Sequence, residues 1–271
     1  MKHTFYIAKI NNHYLYGNTT NLYKITKALL KEHNDCDFKH SYYINFNTGC
    51  RVKDARHAQT LEKSFDTFLT PIKTSNGVSY KVDYKLPNNE AKVEVKYNLT
   101  SDGNLQFEYS FKPTKKDLPN IPRLGIYLTI NKYFENVSWY GKGPLESYWD
   151  RKTGQKTGIY SGKVKNQFHV YSRPQETGNK TDVRWYNLHN DKINLNVTSN
   201  GLFNATALHY TQDQLDDGEK RDQRHASEIS ESNLTELHLD LKQMGLGSVN
   251  SWGLLPLEQY RLTEKNYIFQ F

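Results

Sequence analysis

From Val78 onward, apolar and polar residues alternate along the chain. Val78, Tyr80, Val82 and Tyr84 form one run, Val93, Val95, Tyr97 and Leu99 a second, and Leu105, Phe107, Tyr109 and Phe111 a third. A period of two puts one set of side chains on one face of a pleated strand, so each run predicts a half-buried β-strand. The spacers Pro87-Asn88-Asn89 and Ser101-Asp102-Gly103-Asn104 carry turn chemistry. Shorter runs follow at Leu124–Ile130, Ile193–Thr198, Thr206–Tyr210, Glu236–Leu241 and Tyr267–Phe271. Many short strands without interleaved helices predict an all-β chain, predominantly an antiparallel β-sandwich.

Residues 1–70 read differently. Leu22, Ile25, Ala28, Leu29 and Leu30 fall at helical spacing, and a second possible helix covers Ala55 to Phe68. The chain therefore divides into a partly helical N-terminal segment, 1–70, and a β-domain, 71–271. Residues 138–190, rich in Gly, Pro, Trp, Tyr and charge, read as a long loop-rich stretch. Long ordered loops in a compact domain are usually functional or interfacial, so the chemistry is expected there.

Composition supports the strand reading: 8 Ala against 20 Tyr, 12 Phe and 26 Asn is a poor recipe for helices. The net charge of +7 raises the question of nucleic acid. The basic residues are dispersed among acids, however, as in Lys115-Lys116-Asp117 and Glu219-Lys220-Arg221-Asp222, and no nucleic-acid-binding signature is present. A solvated surface is the expectation, with no nucleic-acid partner. No stretch of 18 apolar residues predicts a membrane helix, and the first residues lack a signal-peptide core. Cys36 and Cys50 form no metal spacing and read as two reduced thiols, which favours a cytoplasmic location. The ten histidines make no metal set, and no Gly-x-Ser-x-Gly elbow occurs.

Three clusters carry the candidate chemistry: Trp139 to Arg151, Tyr171 to Trp185, and Gln243 to Gly253. The first two set Glu146, Asp150, Glu176 and Asp182 among aromatics. Aromatic faces stack on sugars, and paired carboxylates can act as acid and nucleophile in glycoside hydrolysis. The alternative pairs Glu146 and Asp150 with Arg151, and Glu176 with Arg184, as ion pairs that pin loops. The third cluster displays Trp252 between glycines, as an exposed stacking platform or as a plug under its own loop. His169 and Glu176 are the one His–carboxylate pair to consider for mutarotase-like proton transfer.

Taken together, these blocks resemble the C-terminal domain of lactose-hydrolysing β-galactosidases, which in some lactic-acid bacteria is a separate small subunit. The blocks are Ile121-Pro122-Arg123-Leu124-Gly125, Trp139-Tyr140-Gly141-x-Gly143-Pro144-x-Glu146-x-Tyr148-x-Asp150-Arg151, Tyr171-x-x-Pro174-Gln175-Glu176-x-Gly178 and Ser251-Trp252-Gly253. The resemblance covers about residues 78–271 and implies a β-supersandwich of the galactose-mutarotase type. It implies that the catalytic glutamates lie on a barrel in a large-chain partner, and that the complex acts on terminal β-galactosides such as lactose. Trp252, with Asn250 and Ser251, is then the substrate-binding position. Glu146, Tyr148, Asp150, Arg151, Glu176 and Arg184 become structural or interface residues, with no catalytic residue in this chain. No cofactor or metal is expected here, magnesium and sodium being associated with the large chain. Relatives carry Gly-Asp-Asp where this chain has Ser248-Val249-Asn250, and of their Phe-Trp-Arg-Ala-Pro-x-Asp-Asn-Asp block only Phe5, Ala8 and Asn12 remain. That pattern implies a divergent or truncated small subunit. The competing expectation is a stand-alone carbohydrate-binding β-sandwich without activity.

Overall fold

The structure is a computed structural model that describes residues 6–10, 13–17, 43–45, 72–85, 91–115, 120–215, 225–247, 254–263 and 266–271. Both expected helices, the Pro87–Asn89 turn, Cys36 and Cys50 lie outside the described residues, as do Asn250, Ser251 and Trp252. The described chain is all-β, with two antiparallel sheets and a short hairpin. The hairpin joins β1 (Tyr6–Ile10) to β2 (His13–Gly17), and a three-residue strand, β3, covers Tyr43–Asn45. The chain forms two compact units.

The first unit holds a five-stranded sheet of β4 (Ile72–Thr74), β5 (Gly77–Lys85), β6 (Ala91–Thr100), β7 (Leu105–Pro113) and β14 (Tyr267–Gln270). Their order is β14-β7-β6-β5-β4, so the last strand of the chain adds to the edge at β7. The alternating runs set the register. Val82 faces Val95, Val95 faces Tyr109, and Tyr109 faces Phe269, which gives one buried row across four strands. Tyr97–Phe107 and Val93–Phe111–Tyr267 are the rows beside it. Tyr109 and Phe269 stack at 4.7 Å, and Tyr97 meets Phe107 edge-on at 5.4 Å. The other face carries Lys81, Glu94, Lys96 and Glu108, linked by cross-strand ion pairs of 2.6 Å between Lys81 and Glu94 and between Lys96 and Glu108. These pairs are solvent-exposed and each adds little to stability.

The second unit holds β8 (Arg123–Asn131), β9 (Asn136–Gly143), β10 (Lys156–Lys163), β11 (Lys180–His189), β12 (Asn194–Leu208) and β13 (Leu234–Gln243). They hydrogen-bond in the order β10-β9-β11-β12-β13-β8. The stretch expected to be loop-rich, 138–190, thus contains most of β9 and all of β10 and β11. Glycines hide the signal. Gly141 and Gly143 take the inward positions of β9 after Val137 and Trp139, so the apolar alternation vanishes from the sequence while the burial alternation continues. A Cβ on Gly143 would approach the Tyr160 ring to 2.6 Å. The two runs expected at 193–198 and 206–210 are parts of one long strand, β12, whose middle is exposed.

The centre of this sheet is covered on both faces. On β13, Leu237 and Leu239 point to one side, while Glu236, His238 and Asp240 point to the other, and all five are buried. The polar side continues onto the neighbouring strands, where Asn204 and Thr206 of β12 pair with Asp240 and His238. Tyr127 of β8 pairs with His238, their rings stacked at 5.4 Å. Gly125, opposite Asp240, has no room for a side chain, because a Cβ would lie 2.2 Å from Asp240 Oδ1.

Candidate functional site

Two polar assemblies occupy the second unit. The first centres on Glu146, in the turn between β9 and β10. Its carboxylate accepts hydrogen bonds from Arg151 Nη2 at 2.9 Å, the Gly178 N–H at 2.8 Å and the Tyr171 hydroxyl, with Thr177 Oγ1 and the Tyr148 hydroxyl at 3.4 Å. Arg151 also donates to Tyr171 (2.9 Å) and lies over the Tyr148 ring. Burial, then the charges of Glu176 and Glu146, push the Tyr148 hydroxyl well above its ordinary pKa, so it serves as a neutral donor. A carboxylate has about four acceptor positions, and those of Glu146 are in use. It ties the 144–151 turn to the 171–178 segment and has no free acceptor for proton transfer.

Asp150 does not pair with Arg151. Its Oδ2 instead accepts the N–H of Gly247, 97 residues along the chain, at 2.8 Å, and its Oδ1 is buried without a partner. Gly247 in turn approaches Leu254, since a Cβ there would lie 3.4 Å from the Leu254 carbonyl. Gly247 and Leu254, on either side of residues 248–253 in the sequence, therefore lie close together, and Asp150 holds Gly247.

Next to Glu146 lies an open cavity of about 650 Å³, bordered by the 144–155 turn and by residues 166–169. Lys180, at the start of β11, lines it while being 98% removed from solvent overall (2% exposed). Its ammonium donates to the Gly178 carbonyl at 3.1 Å and sits 5.1 Å from the Trp139 ring. Burial lowers this amine to about 8, against an upward pull from Glu146. The alternation breaks here because β11 bulges against β12 between Lys180 and Val183. A bulge re-aims side chains, and both Lys180 and Thr181 turn inward. Asp182 within the bulge has φ 54°, a left-handed conformation that Asp tolerates better than most residues, and pairs with Lys152 at 2.7 Å.

The second assembly centres on Arg123, at the start of β8. It lies 3.1 Å from Glu176 and 3.0 Å from Asp240. Glu176 thus pairs with Arg123 and not with Arg184. Arg184 lies over the Tyr140 ring at 4.8 Å and donates to the Asp182 carbonyl. Burial pushes the Glu176 and Asp240 carboxyls up, and Arg123 counteracts this only in part. Burial pulls the Arg123 guanidinium down, but Asp240 and then Glu176 hold it above its ordinary value. Gln243 links Asp240 (3.0 Å) to Asn179 (3.1 Å), and Asn179 donates to the Ser147 carbonyl at 2.7 Å, so the two assemblies are joined through hydrogen bonds. On the other side, His238 Nε2 and the Gln212 N–H both contact Glu236 Oε1, at 2.8 and 2.7 Å. The free space beside Arg123, Glu176 and His238 is about 10 Å³, room for about one water and no substrate.

Sequence reasoning singled out Glu146, Asp150, Arg151, Glu176 and Arg184, and the structure brings Glu146, Asp150 and Arg151 to one cavity. His169 borders that cavity too, whereas Glu176 is held by Arg123. It missed Lys180, Asp240, His238 and Gln243. The available signal for the last three was a strand whose polar positions hold His and Asp in place of Lys and Thr. For Lys180 there was none, because a bulge leaves no mark in the periodicity. Among the described residues no group of three or more His, Cys, Asp or Glu side chains could hold a metal, and no helix is long and apolar enough to cross a membrane.

The sequence matches the family described as beta galactosidase small chain over residues 3–271. It is similar to a β-galactosidase of Priestia megaterium, 38% identical over 187 residues, which make up 68% of this chain and 17% of that protein. It is also similar to β-galactosidases of Lactobacillus delbrueckii subsp. bulgaricus (38% over 160 residues, 59% of this chain and 15% of that protein) and Streptococcus thermophilus (33% over 190 residues, 68% and 18%). The chain spans less than a fifth of the length of these curated relatives.

Proposed function

The chain belongs to the β-galactosidase small-chain family, and from that premise we propose that it is the small subunit of a two-chain, cytoplasmic β-galactosidase hydrolysing terminal β-D-galactosides such as lactose. The family match over residues 3–271 carries this reading. The large chain supplies the acid/base and nucleophile carboxylates of a retaining mechanism, and magnesium or sodium where they are used. The state of this chain's own carboxylates supports that division of labour. Glu146 is saturated with donors, and Glu176 and Asp240 share Arg123, so neither set offers a free acid and base facing each other across a bound sugar.

Within the complex, Trp252, preceded by Asn250 and Ser251, stacks on the group beyond the scissile bond. Stacking positions the acceptor and transfers no proton, so its loss acts on binding more than on chemistry. Co-expression with a cognate large chain, followed by size-exclusion chromatography and a galactoside hydrolysis assay, tests the reading. Co-elution with turnover is expected, and a chain that neither co-elutes nor supports turnover overturns it. In the active complex, Trp252→Ala should raise KM for lactose and weaken glucose as an acceptor about tenfold or more, with a smaller change in kcat. Unchanged kinetics would remove Trp252 from the site.

A further inference from the structure

Leu246, Leu254, Leu255 and Leu257 all present their side chains to solvent, on the two stretches that border residues 248–253. Leu254 and Leu257 are the most open of the four, at 56% and 63% exposed. Other exposed large apolar side chains among the described residues, such as Tyr133, Ile159 and Ile268, stand singly along the sequence. Single ones are ordinary on a protein surface, whereas a group of them marks a place where a partner binds. The two stretches run side by side, since a Cβ on Gly247 would come 3.5 Å from the Pro256 nitrogen.

Both stretches are fixed to the body of the second unit. The Gly245 N–H donates to the Tyr260 carbonyl and the Gly247 N–H to Asp150 Oδ2, each at 2.8 Å. Arg261 Nε donates to the Pro256 carbonyl at 2.7 Å, and Pro256 is buried between the exposed Leu255 and Leu257. A surface ordered before the encounter loses little conformational freedom when it is covered. Chain connectivity names the occupant. Leu254 follows Trp252 by two positions and Leu257 by five, so their Cα atoms lie within about 7 and 18 Å of the Trp252 Cα. An indole that reaches a sugar held by the large chain therefore brings these leucines against that chain's surface around the sugar.

We propose that Leu246, Leu254, Leu255 and Leu257 form a docking patch for the large chain, which covers them with apolar side chains at the mouth of its sugar pocket. The inference rests on the small-subunit reading and adds to it the surface that holds the two chains together. Calorimetric titration of the full chain with its cognate large chain tests it, using wild type, Leu254→Ser/Leu257→Ser and, as the control, Ile159→Ser/Ile268→Ser. All four positions are more than half exposed, so each isolated variant should melt within about 2 °C of wild type. The leucine variant should raise Kd tenfold or more, and the control should stay within about twofold of wild type. Leu246→Ser, on the other stretch, is an independent second variant and should raise Kd about threefold or more. Galactoside turnover with the double leucine variant should return to the wild-type kcat when that variant is in excess, because the leucines join the chains and touch no substrate. No association of the wild-type chain overturns the small-subunit reading and this inference with it. Wild-type association with Kd unchanged in both leucine variants overturns this inference alone. So does an equal loss in the control, turnover that excess variant fails to restore, or an effect confined to self-association of the isolated chain.

Discussion

At neutral pH the Lys180 ammonium remains charged inside the protein, and that placement costs stability. Unfolded, the amine titrates at its ordinary value near 10.5; folded, it titrates at about 8. Between those values the unfolded chain holds one proton more, so stability rises with pH across that window, by roughly 3 kcal/mol in total for a shift of this size. Below about pH 8 both states carry the proton and the cost is constant. Glu146, Asp150 and Arg151 border the same cavity. Lys180→Met should therefore melt higher than wild type at about pH 7, and the gap should close by about pH 10. Thermal melts of both proteins across that range check it, and a constant gap would refute the assignment. Residues of this kind were illegible in the sequence. Glu146 and Arg151, five positions apart, were legible as a pair because they belong to one turn. The partner of Glu176 lies 53 positions upstream in Arg123, beyond the reach of local spacing.

Among the elements, β6, β7 and β14 show alternation at its most informative. One face of each is buried and the other wet, so the sequence pattern gives both the strand and its register. β14 is four residues long and holds the edge of its sheet chiefly through Tyr267 and Phe269. Phe269→Ala removes the ring stacked on Tyr109 and should cost about 3–4 kcal/mol, read as a lower urea midpoint with earlier hydrogen exchange at Phe107 and Phe271. Exchange unchanged at those two amides would show that the strand is held otherwise. β13 defeats the same reasoning. Its sequence alternates as a half-exposed strand would, yet Glu236, His238 and Asp240 are buried, because residues and loops from elsewhere in the chain supply their partners. Periodicity shows that two faces differ and cannot show that the polar one is covered.

For the whole molecule, the all-β class was legible from strand spacing, and the family from four ordered blocks. The division of labour proposed with a large chain leaves no mark in the strand pattern and was legible only through that resemblance. If Glu176 is structural, Glu176→Gln should lower the melting temperature by several degrees through the weakened Arg123 cluster, while kcat per assembled complex stays within about twofold of wild type. A kcat loss of tenfold or more with an intact melt would make Glu176 part of the chemistry. The covered polar face of β13 also bears on how the chain reaches its native state. The face can close only when the 174–180 segment delivers Glu176 and Asn179 to Arg123, Gln243 and Thr206. A chain mispaired at β8 or β13 would present Arg123 or Asp240 in the wrong register and leave a naked charge to bury. A native register in β8 and β13 and the docking of the 174–180 segment are therefore one condition, checked by a single buried charge cluster.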